Sequence, residues 1–306
     1  MHLVPDVTDT LAIQSRALRD TCGARTLDDL AVVSVSGKDR ASWLNGLVTN
    51  DTRALAPGRS CYAAAVAVKG KVLSDLFVHA RAESLLLVLP ASRVDEVLAH
   101  FDRYIVMEDV TLAREAAVVL TLQGPAAASL GARLGEHFLA DRLGRGGIDV
   151  LVDASREADV RDALHALVRN GAVTAVSPEA WEQARVEAAV PAFGIDFDTS
   201  HFVHEASITP RAVSFQKGCY LGQEVIVRLE MRGHVQRLLV ALALPGDPPP
   251  RGAEVTCEGQ VVGAVTSAAA AHDGGSVALA MVKWAVAEKP LAVGGVEATT
   301  RKVYGA

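Results

Sequence analysis

The chain has few cysteines and few aromatic residues, and each shortage excludes a class of protein. Its four cysteines stand far apart among 306 residues and form no CxxC pair. This excludes a disulfide scaffold, a zinc knuckle and a redox dithiol. Aromatic residues make up 5% of the chain, which argues against a base-stacking surface for single-stranded nucleic acid. The nine histidines do not cluster at ligand spacing, so we expect no metal site.

Long apolar runs and targeting signals are also missing. No run reaches the roughly 18 apolar residues that span a bilayer. The N-terminal segment carries acids where a signal peptide carries lysines. We therefore expect a reduced, cytoplasmic protein with no membrane contact. The net charge of −6 argues against an overall basic coat for nucleic acid.

Common catalytic templates are absent from the sequence as well. There is no GxGxxG after a strand, no GxxxxGK[ST], no HExxH and no GxSxG. With 50% apolar and 22% charged residues, the chain can nevertheless bury a substantial core. Its length favours two or three domains, or one large unit with subdomains.

The sequence does contain alternating strand and helix patterns, followed by a series of short strands. Up to about residue 190, β-branched runs alternate with amphipathic helical patterns, which predicts an α+β fold. A further helix is predicted from about Tyr220 to Met231. Turn signals such as PGDPPPRG and AHDGG separate the strand-like segments that follow. They predict a small all-β barrel or sandwich over 237–306.

The stretch SFQKGCYLGQEVIVRLEMRGHVQR, residues 214–237, carries most of the candidate chemistry. Cys219 follows Lys217 and stands where the next helix is predicted to begin. The amides and dipole of a helix start, helped by the lysine, would stabilise a thiolate. Cys219 is therefore a candidate nucleophile or soft-metal ligand. On the residues alone, a small buried structural cysteine is the alternative.

The same stretch is locally basic. Together with Arg211 just upstream, it holds five cations against two carboxylates. Such an excess can meet a carboxylate tail or a phosphate backbone. A solvated helix face is an equal alternative.

Two acids elsewhere are candidates for ligand binding. Asp75 shares a strand face with Leu73 and Phe77, so its carboxylate must be paired, reach a ligand or be neutral. Glu187 follows Arg185 by two residues on a helix, so we expect no pairing between them. Its carboxylate could accept hydrogen bonds from the N–H edge of a ligand. A structural hydrogen bond and an exposed helical glutamate are the respective alternatives.

The residues 217–224, KGCYLGQE, resemble the signature of the YgfZ-type folate-binding proteins, which are relatives of the glycine-cleavage T-protein. Three further stretches resemble elements of this family in the same order: SGKDRASWLNGLVTNDTRAL at 36–55, KGKVLSDLFV at 69–78 and RVEAAVPAFGIDF at 185–197. The resemblance thus covers nearly the whole chain. T-proteins lack the cysteine motif, so the resemblance raises Cys219 above the structural alternative.

The resemblance implies an α+β fold of the T-protein type, a three-part ring with a C-terminal β-barrel. The folate-binding region would cover 1–236, with a ferredoxin-like subdomain at roughly 110–180, and the barrel would cover 237–306. Tetrahydrofolate, or a derivative of it, is the implied cofactor. Glu187 would hold the pterin, and Arg228 or Arg232 would meet the carboxylates of the tail. The folate-binding residues implied by the resemblance are Asp75, Glu187, Lys217, Tyr220, Arg228 and Arg232.

The resemblance also implies a function. It points to a tetrahydrofolate-binding accessory protein for iron–sulfur cluster assembly or repair, acting through Cys219 without turnover of a small substrate. Iron–sulfur client or assembly proteins would be the partners, with an indirect link to tRNA-modifying enzymes. The alternative is a folate-dependent aminomethyl or one-carbon transferase, in which Asp75 would serve the folate amine. RNA binding through the cations of 211–237 is a third hypothesis.

Two departures from the family pattern bear on these hypotheses. The T-protein strand carries two adjacent acids where this chain has Ser74 and Asp75, which weakens the case for transferase chemistry. The family's glycine two positions after the glutamate is Ala189, which would narrow the approach to a ligand.

Overall fold

The computed structural model describes residues 3–305, with the exception of the side chain of Arg232. Its helices are α1 (Leu11–Asp20), α2 (Arg40–Asn45), α3 (Val94–Asp102), α4 (Ala127–Leu130), α5 (Glu157–Arg169), α6 (Pro178–Glu187), α7 (Thr209–Ala212) and α8 (Gln223–Arg232). The strands are β1 (Gly23–Leu27), β2 (Leu30–Ser36), β3 (Ser60–Val66), β4 (Val72–Ala80), β5 (Leu85–Pro90), β6 (Thr111–Glu115), β7 (Ala117–Gln123), β8 (Phe138–Leu139), β9 (Gly147–Asp153), β10 (Thr174–Ala175), β11 (Arg237–Leu244), β12 (Glu254–Cys257), β13 (Gln260–Ala270), β14 (Ser276–Lys283), β15 (Leu291–Val293) and β16 (Val296–Arg301).

The chain divides into two compact units. Unit 1 comprises the residues up to Ala65, then Leu73–Trp181 and Gln216–Tyr220. Unit 2 comprises Val66–Val72, Glu182–Phe215 and the residues from Leu221 onward. The predicted domain limits at 110–180 and at 236/237 follow a different division and stay predictions.

Unit 1 is built on two five-stranded sheets. One has the strand order β3-β4-β5-β2-β6 and the other β10-β1-β7-β9-β8. The apolar run LLLVLP of β5 is explained by its central place, because both of its faces are covered. Leu87 packs with Trp43 and with Phe101 of α3, whereas Leu86 packs in a core that includes Val119 of the second sheet. The two sheets of unit 1 therefore share a core.

Unit 2 contains a closed barrel with the strand order β11-β14-β13-β12-β15-β16. Pairing of β11 with β16, for example Leu242 with Thr300, closes it. Its interior is lined by alternating apolar residues, among them Val240, Val255 and Leu291. The prediction of a small C-terminal β-barrel is confirmed. Strand β15, which has three residues, was not predicted from the sequence.

No described helix has the length and apolar character that crossing a membrane requires.

A buried polar network lies inside unit 1. Nε2 of His79 is 3.2 Å from Oδ2 of Asp149, and Nδ1 of His79 is 2.6 Å from the hydroxyl of Ser60. Arg142 donates two hydrogen bonds to Oδ2 of the same aspartate, at 3.2 and 2.6 Å. Burial lowers the pKa of His79. Although burial opposes its charged form, Arg142 and His79 hold the pKa of Asp149 below its usual range.

This network predicts that the protein loses stability in acid. Unfolding returns His79 to an ordinary pKa of about 6.5, so below that pH the unfolded chain binds a proton that the folded chain does not. The free energy of unfolding should therefore fall as the pH falls, and the depressed pKa of Asp149 acts in the same direction at lower pH. Urea unfolding at about pH 7.5 and about pH 5.5 measures the loss.

The variant His79→Gln should lose less stability than wild type between the two pH values. The exposed His234 offers a matched control, and His234→Gln should retain the wild-type loss. Equal losses in wild type and His79→Gln would contradict the assignment to His79.

Candidate functional site

The candidate residues from the sequence are divided between the two units. Unit 1 contains Asp75, Lys217, Cys219 and Tyr220, and unit 2 contains Glu187, Arg228 and Arg232. Each unit therefore carries its own set of candidates.

The Lys217 ammonium is fully engaged by main-chain oxygens of unit 1. It is buried and donates to the main-chain oxygens of Asn45 at 2.6 Å, Val48 at 2.7 Å and Asn50 at 2.7 Å. An ammonium has three N–H groups, and each of them meets one carbonyl here. Nζ also lies 4.8 Å from the ring centroid of Tyr220. This arrangement, called the lysine clamp below, fastens residues 216–220 to the loop that follows α2.

The clamp gives Lys217 a structural role that the sequence did not predict. Burial lowers the pKa of its ammonium to about 8, although the nearby carboxylate of Asp51 acts to raise it. All three of its N–H groups are taken by carbonyls. The ammonium therefore serves the backbone of the loop, and its predicted effect on the Cys219 thiolate stays a prediction.

Cys219 lies in a segment without regular secondary structure, not at a helix start. Helix α8 begins at Gln223, three residues later than predicted. The preceding Gly222 has φ +78°, and a Cβ there would lie 2.8 Å from the carbonyl oxygen of Ala67. The chain thus needs a glycine turn before the helix can begin. The argument from the helix dipole therefore does not apply to Cys219.

Cys219 is nevertheless the accessible thiol of the chain. Of the four cysteines, Cys22 and Cys257 are buried, Cys61 is half-buried and Cys219 is exposed. Burial raises the pKa of Cys22 and of Cys61 to about 12 in each case. Thiol chemistry with a partner or a metal is therefore open to Cys219 in a way that it is not to Cys22 or Cys61.

Asp75 is paired, which is one of the outcomes expected from its position. The hydroxyl of Tyr62 on β3 donates to its Oδ2 at 2.8 Å. The neighbouring Ser74 is buried, and its hydroxyl donates to the main-chain oxygen of Asp75 at 2.8 Å. A single carboxylate therefore stands where the T-protein strand carries two.

Glu187 is the last residue of α6 and is fastened to the barrel. Its Oε1 accepts a hydrogen bond from the main-chain nitrogen of His272 at 3.0 Å and lies in hydrogen-bond contact with the Nδ1 ring atom of the same histidine. Arg185 pairs with Asp196 at 2.7 Å and with Glu182. The prediction that Glu187 and Arg185 do not pair is confirmed. Ala189 has φ +55°, a conformation that favours glycine, and it is buried at 3% exposure.

The basic residues near α8 are largely engaged within the protein. Arg211 lies over the ring of Tyr304 at 4.3 Å, and Arg237 lies 4.0 Å from Oε1 of Glu205. Arg228 is exposed on α8. Arg232 ends the helix, and its side chain lies outside the described part of the structure, so its expected role stays a prediction.

Several contacts at these sites had no signal in the sequence. The acceptors of the lysine clamp are main-chain oxygens, which any residue provides. His272 stands in a stretch, AHDGG, that reads only as a turn. Within residues 3–305, leaving aside the side chain of Arg232, no group of three or more His, Cys, Asp or Glu could hold a metal ion.

Comparisons with known proteins agree with this architecture. The family described as GCVT N-terminal domain matches residues 5–141, and the family described as CAF17, C-terminal beta-barrel domain, matches residues 236–304. The tRNA-modifying protein YgfZ of Yersinia enterocolitica is 33% identical over 234 residues, which cover 71% of this chain and 70% of that protein. The chain belongs to the YgfZ family. The family that the sequence resemblance predicted is thus confirmed.

Other relatives connect this YgfZ-family chain to the T-proteins. The aminomethyltransferase of Deinococcus deserti is 28% identical over 304 residues, which cover 91% of this chain and 82% of that protein. The crystal structure of the glycine cleavage system aminomethyltransferase T from Bartonella henselae superposes with a TM-score of 0.84 at 19% identity. That match covers 99% of this chain and 91% of the other chain. The predicted α+β fold of the T-protein type is confirmed.

Removal of the lysine clamp should destabilise the YgfZ-family chain strongly. In Lys217→Met, two buried carbonyl groups and one half-buried carbonyl group lose their donor, and we expect a loss of about 2 to 4 kcal/mol in the free energy of unfolding. Urea unfolding measures this loss. The exposed Lys69 provides the control, since Lys69→Met should change stability by less than about 0.5 kcal/mol. A loss in Lys217→Met no larger than in the control would contradict the clamp.

Proposed function

We propose that this YgfZ-family chain binds a tetrahydrofolate and serves in the cytoplasm as an accessory factor for iron–sulfur cluster assembly or repair. It acts through Cys219 and does not turn over a small substrate. The observation that carries this proposal is the exposure of the Cys219 thiol. Of the other three cysteines, two are buried and one is half-buried. An accessible thiol can bind iron or sulfur transiently, as work on a cluster requires.

The position of the thiol supports this role. Cys219 has no regular secondary structure around it, yet Lys217, two residues earlier, is tied to three main-chain oxygens. A thiol on a fastened segment can meet a partner in a defined geometry at a smaller entropic cost than one on a loose loop.

Tetrahydrofolate is the cofactor that the family resemblance implies, and the side chains of unit 2 fit it chemically. Glu187 offers a carboxylate that is 12% exposed, and among the described residues no donor engages its Oε2. That oxygen suits an N–H group on the pterin edge. The exposed guanidinium of Arg228 suits the carboxylates of the folate tail. Bound tetrahydrofolate would supply a reduced pterin whose amines can carry one-carbon units.

Aminomethyl transfer is the second candidate, and the coverage of the Deinococcus relative favours it. The presence of one carboxylate, Asp75, favours the accessory role over transfer chemistry. The neighbouring Ser74 provides no second acid, and its hydroxyl donates to the main-chain oxygen of Asp75. The name tRNA-modifying protein, borne by the Yersinia relative, fits an accessory factor whose clients include iron–sulfur enzymes that modify tRNA.

Folate binding is tested by calorimetric titration with tetrahydrofolate. We expect wild type to bind, and Glu187→Ala to bind at least about tenfold more weakly because the ligand loses a charged acceptor. The exposed Glu179 lies on the same helix, so Glu179→Ala is a matched control that should bind as wild type does. No heat from wild type would overturn the folate part of the proposal.

The role of the cysteine is tested in a strain that lacks the protein. Cys219→Ser should fail to restore iron–sulfur enzyme activity, since a serine hydroxyl binds iron much more weakly than a cysteine thiolate does. Because the side chain is exposed, the variant should fold and accumulate normally. Cys61→Ala, which removes the half-buried thiol, should restore activity. Full restoration by Cys219→Ser would remove the cysteine from the mechanism.

A further inference from the structure

We infer that His272, in the turn between β13 and β14 of the barrel, is a positioning residue that presents the carboxylate of Glu187 to the ligand. The inference rests on the proposed folate function and adds a barrel residue to its binding machinery. The ligand chemistry it serves is a flat heterocycle with an N–H edge.

The backbone that carries Glu187 is fixed by a buried ionic network. The guanidinium of Arg185 donates to Oδ2 of Asp196 at 2.7 Å and to the hydroxyl of Ser267 on β13 at 2.9 Å. Asp196 in turn accepts hydrogen bonds from Ser267 and from Thr266, both at 2.6 Å. The end of α6 is thereby bonded to a barrel strand, and the Cα of Glu187 has a defined place.

Apolar packing and a further hydrogen bond reinforce the same attachment. Val186 lies in a buried cluster with Ala269 and Val277 of the barrel. Gln183, one turn earlier on the helix, donates to the main-chain oxygen of Ala270 at 3.2 Å. The turn that contains His272 follows directly on β13, so it is held at the end of α6 by contacts that do not involve His272 itself.

His272 then decides the direction of the carboxylate. A free glutamate side chain loses rotamer entropy when it is ordered, and this loss opposes ligand binding. Here the main-chain N–H and the ring Nδ1 of His272 both engage Oε1. The two donors hold one oxygen, so the carboxylate is already ordered when the protein folds. Ligand binding then does not have to supply the entropy cost of ordering it.

The arrangement also gives the two carboxylate oxygens of Glu187 different roles. Oε1 serves the turn, and Oε2, which no described donor engages, is left with both lone pairs for a ligand N–H. The contact requires a proton on Nδ1 of the imidazole, because a carboxylate oxygen can only accept. The His272 side chain is 43% exposed, so its replacement leaves no core cavity.

A purely structural role would be a clasp between the turn and the helix, with no effect on a ligand. The two roles are separated by titrating tetrahydrofolate into wild type, His272→Ala, His272→Asn and Asp273→Ala, with thermal unfolding of each. His272→Ala keeps the main-chain N–H and loses the ring donor. His272→Asn places an amide N–H close to the position of Nδ1. Asp273 is the exposed neighbour in the same turn and serves as the matched control.

We expect His272→Ala to weaken binding by about threefold to tenfold, the net worth of one hydrogen bond. His272→Asn should recover most of the affinity, and Asp273→Ala should bind as wild type does. All three variants should unfold within about 2 °C of wild type, because the replaced side chains are exposed. In a Glu187→Gln background, the further effect of His272→Ala should shrink, since His272 acts through that carboxylate.

Each other result has a distinct meaning. If wild type binds and His272→Ala binds equally well, the positioning role is overturned and the folate proposal stands. If His272→Ala and His272→Asn are weakened alike and both unfold at lower temperature, His272 is a structural clasp and the inference is wrong. If wild type gives no heat, the folate proposal falls and the inference falls with it.

Discussion

One buried charge determines whether the cysteine segment has a defined structure. The ammonium of Lys217 meets main-chain oxygens that lie 172, 169 and 167 positions earlier in the chain. Burying a charge is costly unless all of its hydrogen-bonding groups are satisfied, and here the three N–H groups find three acceptors. The loop after α2 and the segment with Cys219 therefore order each other, although neither forms a helix or a strand across the contact.

A second ionic network orders irregular backbone in unit 2. Arg185, Asp196 and Ser267 join the end of α6, the irregular stretch after it and the barrel strand β13. Both networks place a chemically capable side chain, Cys219 in one unit and Glu187 in the other, directly beside a rigid anchor. Cys219 in particular needs such an anchor, because it lies on irregular backbone, which supplies few hydrogen bonds of its own.

Much of the regular structure could be predicted from local pattern. Alternating strand and helix patterns predicted the α+β region up to about residue 190, and turn signals predicted a small all-β barrel or sandwich after residue 236. The start of α8 was misplaced, because the apolar pattern continues through the turn at Gly222. The three-residue strand β15 was not predicted, for a different reason. A strand that short carries too few positions for an alternating pattern, and its pairing with β12 and β16 exists only in the closed barrel.

The sequence by itself determined the family, the order of strands and helices, and the residue types that carry chemistry, because these depend on side-chain identity and on short-range periodicity. Only the tertiary structure decided what each of those side chains contacts. In that structure Lys217 contacts the backbone of the loop after α2, Asp75 contacts Tyr62, and Glu187 contacts His272. The partners of Lys217 and Glu187 include main-chain atoms far away in the chain, and main-chain atoms are the same at every position of a sequence.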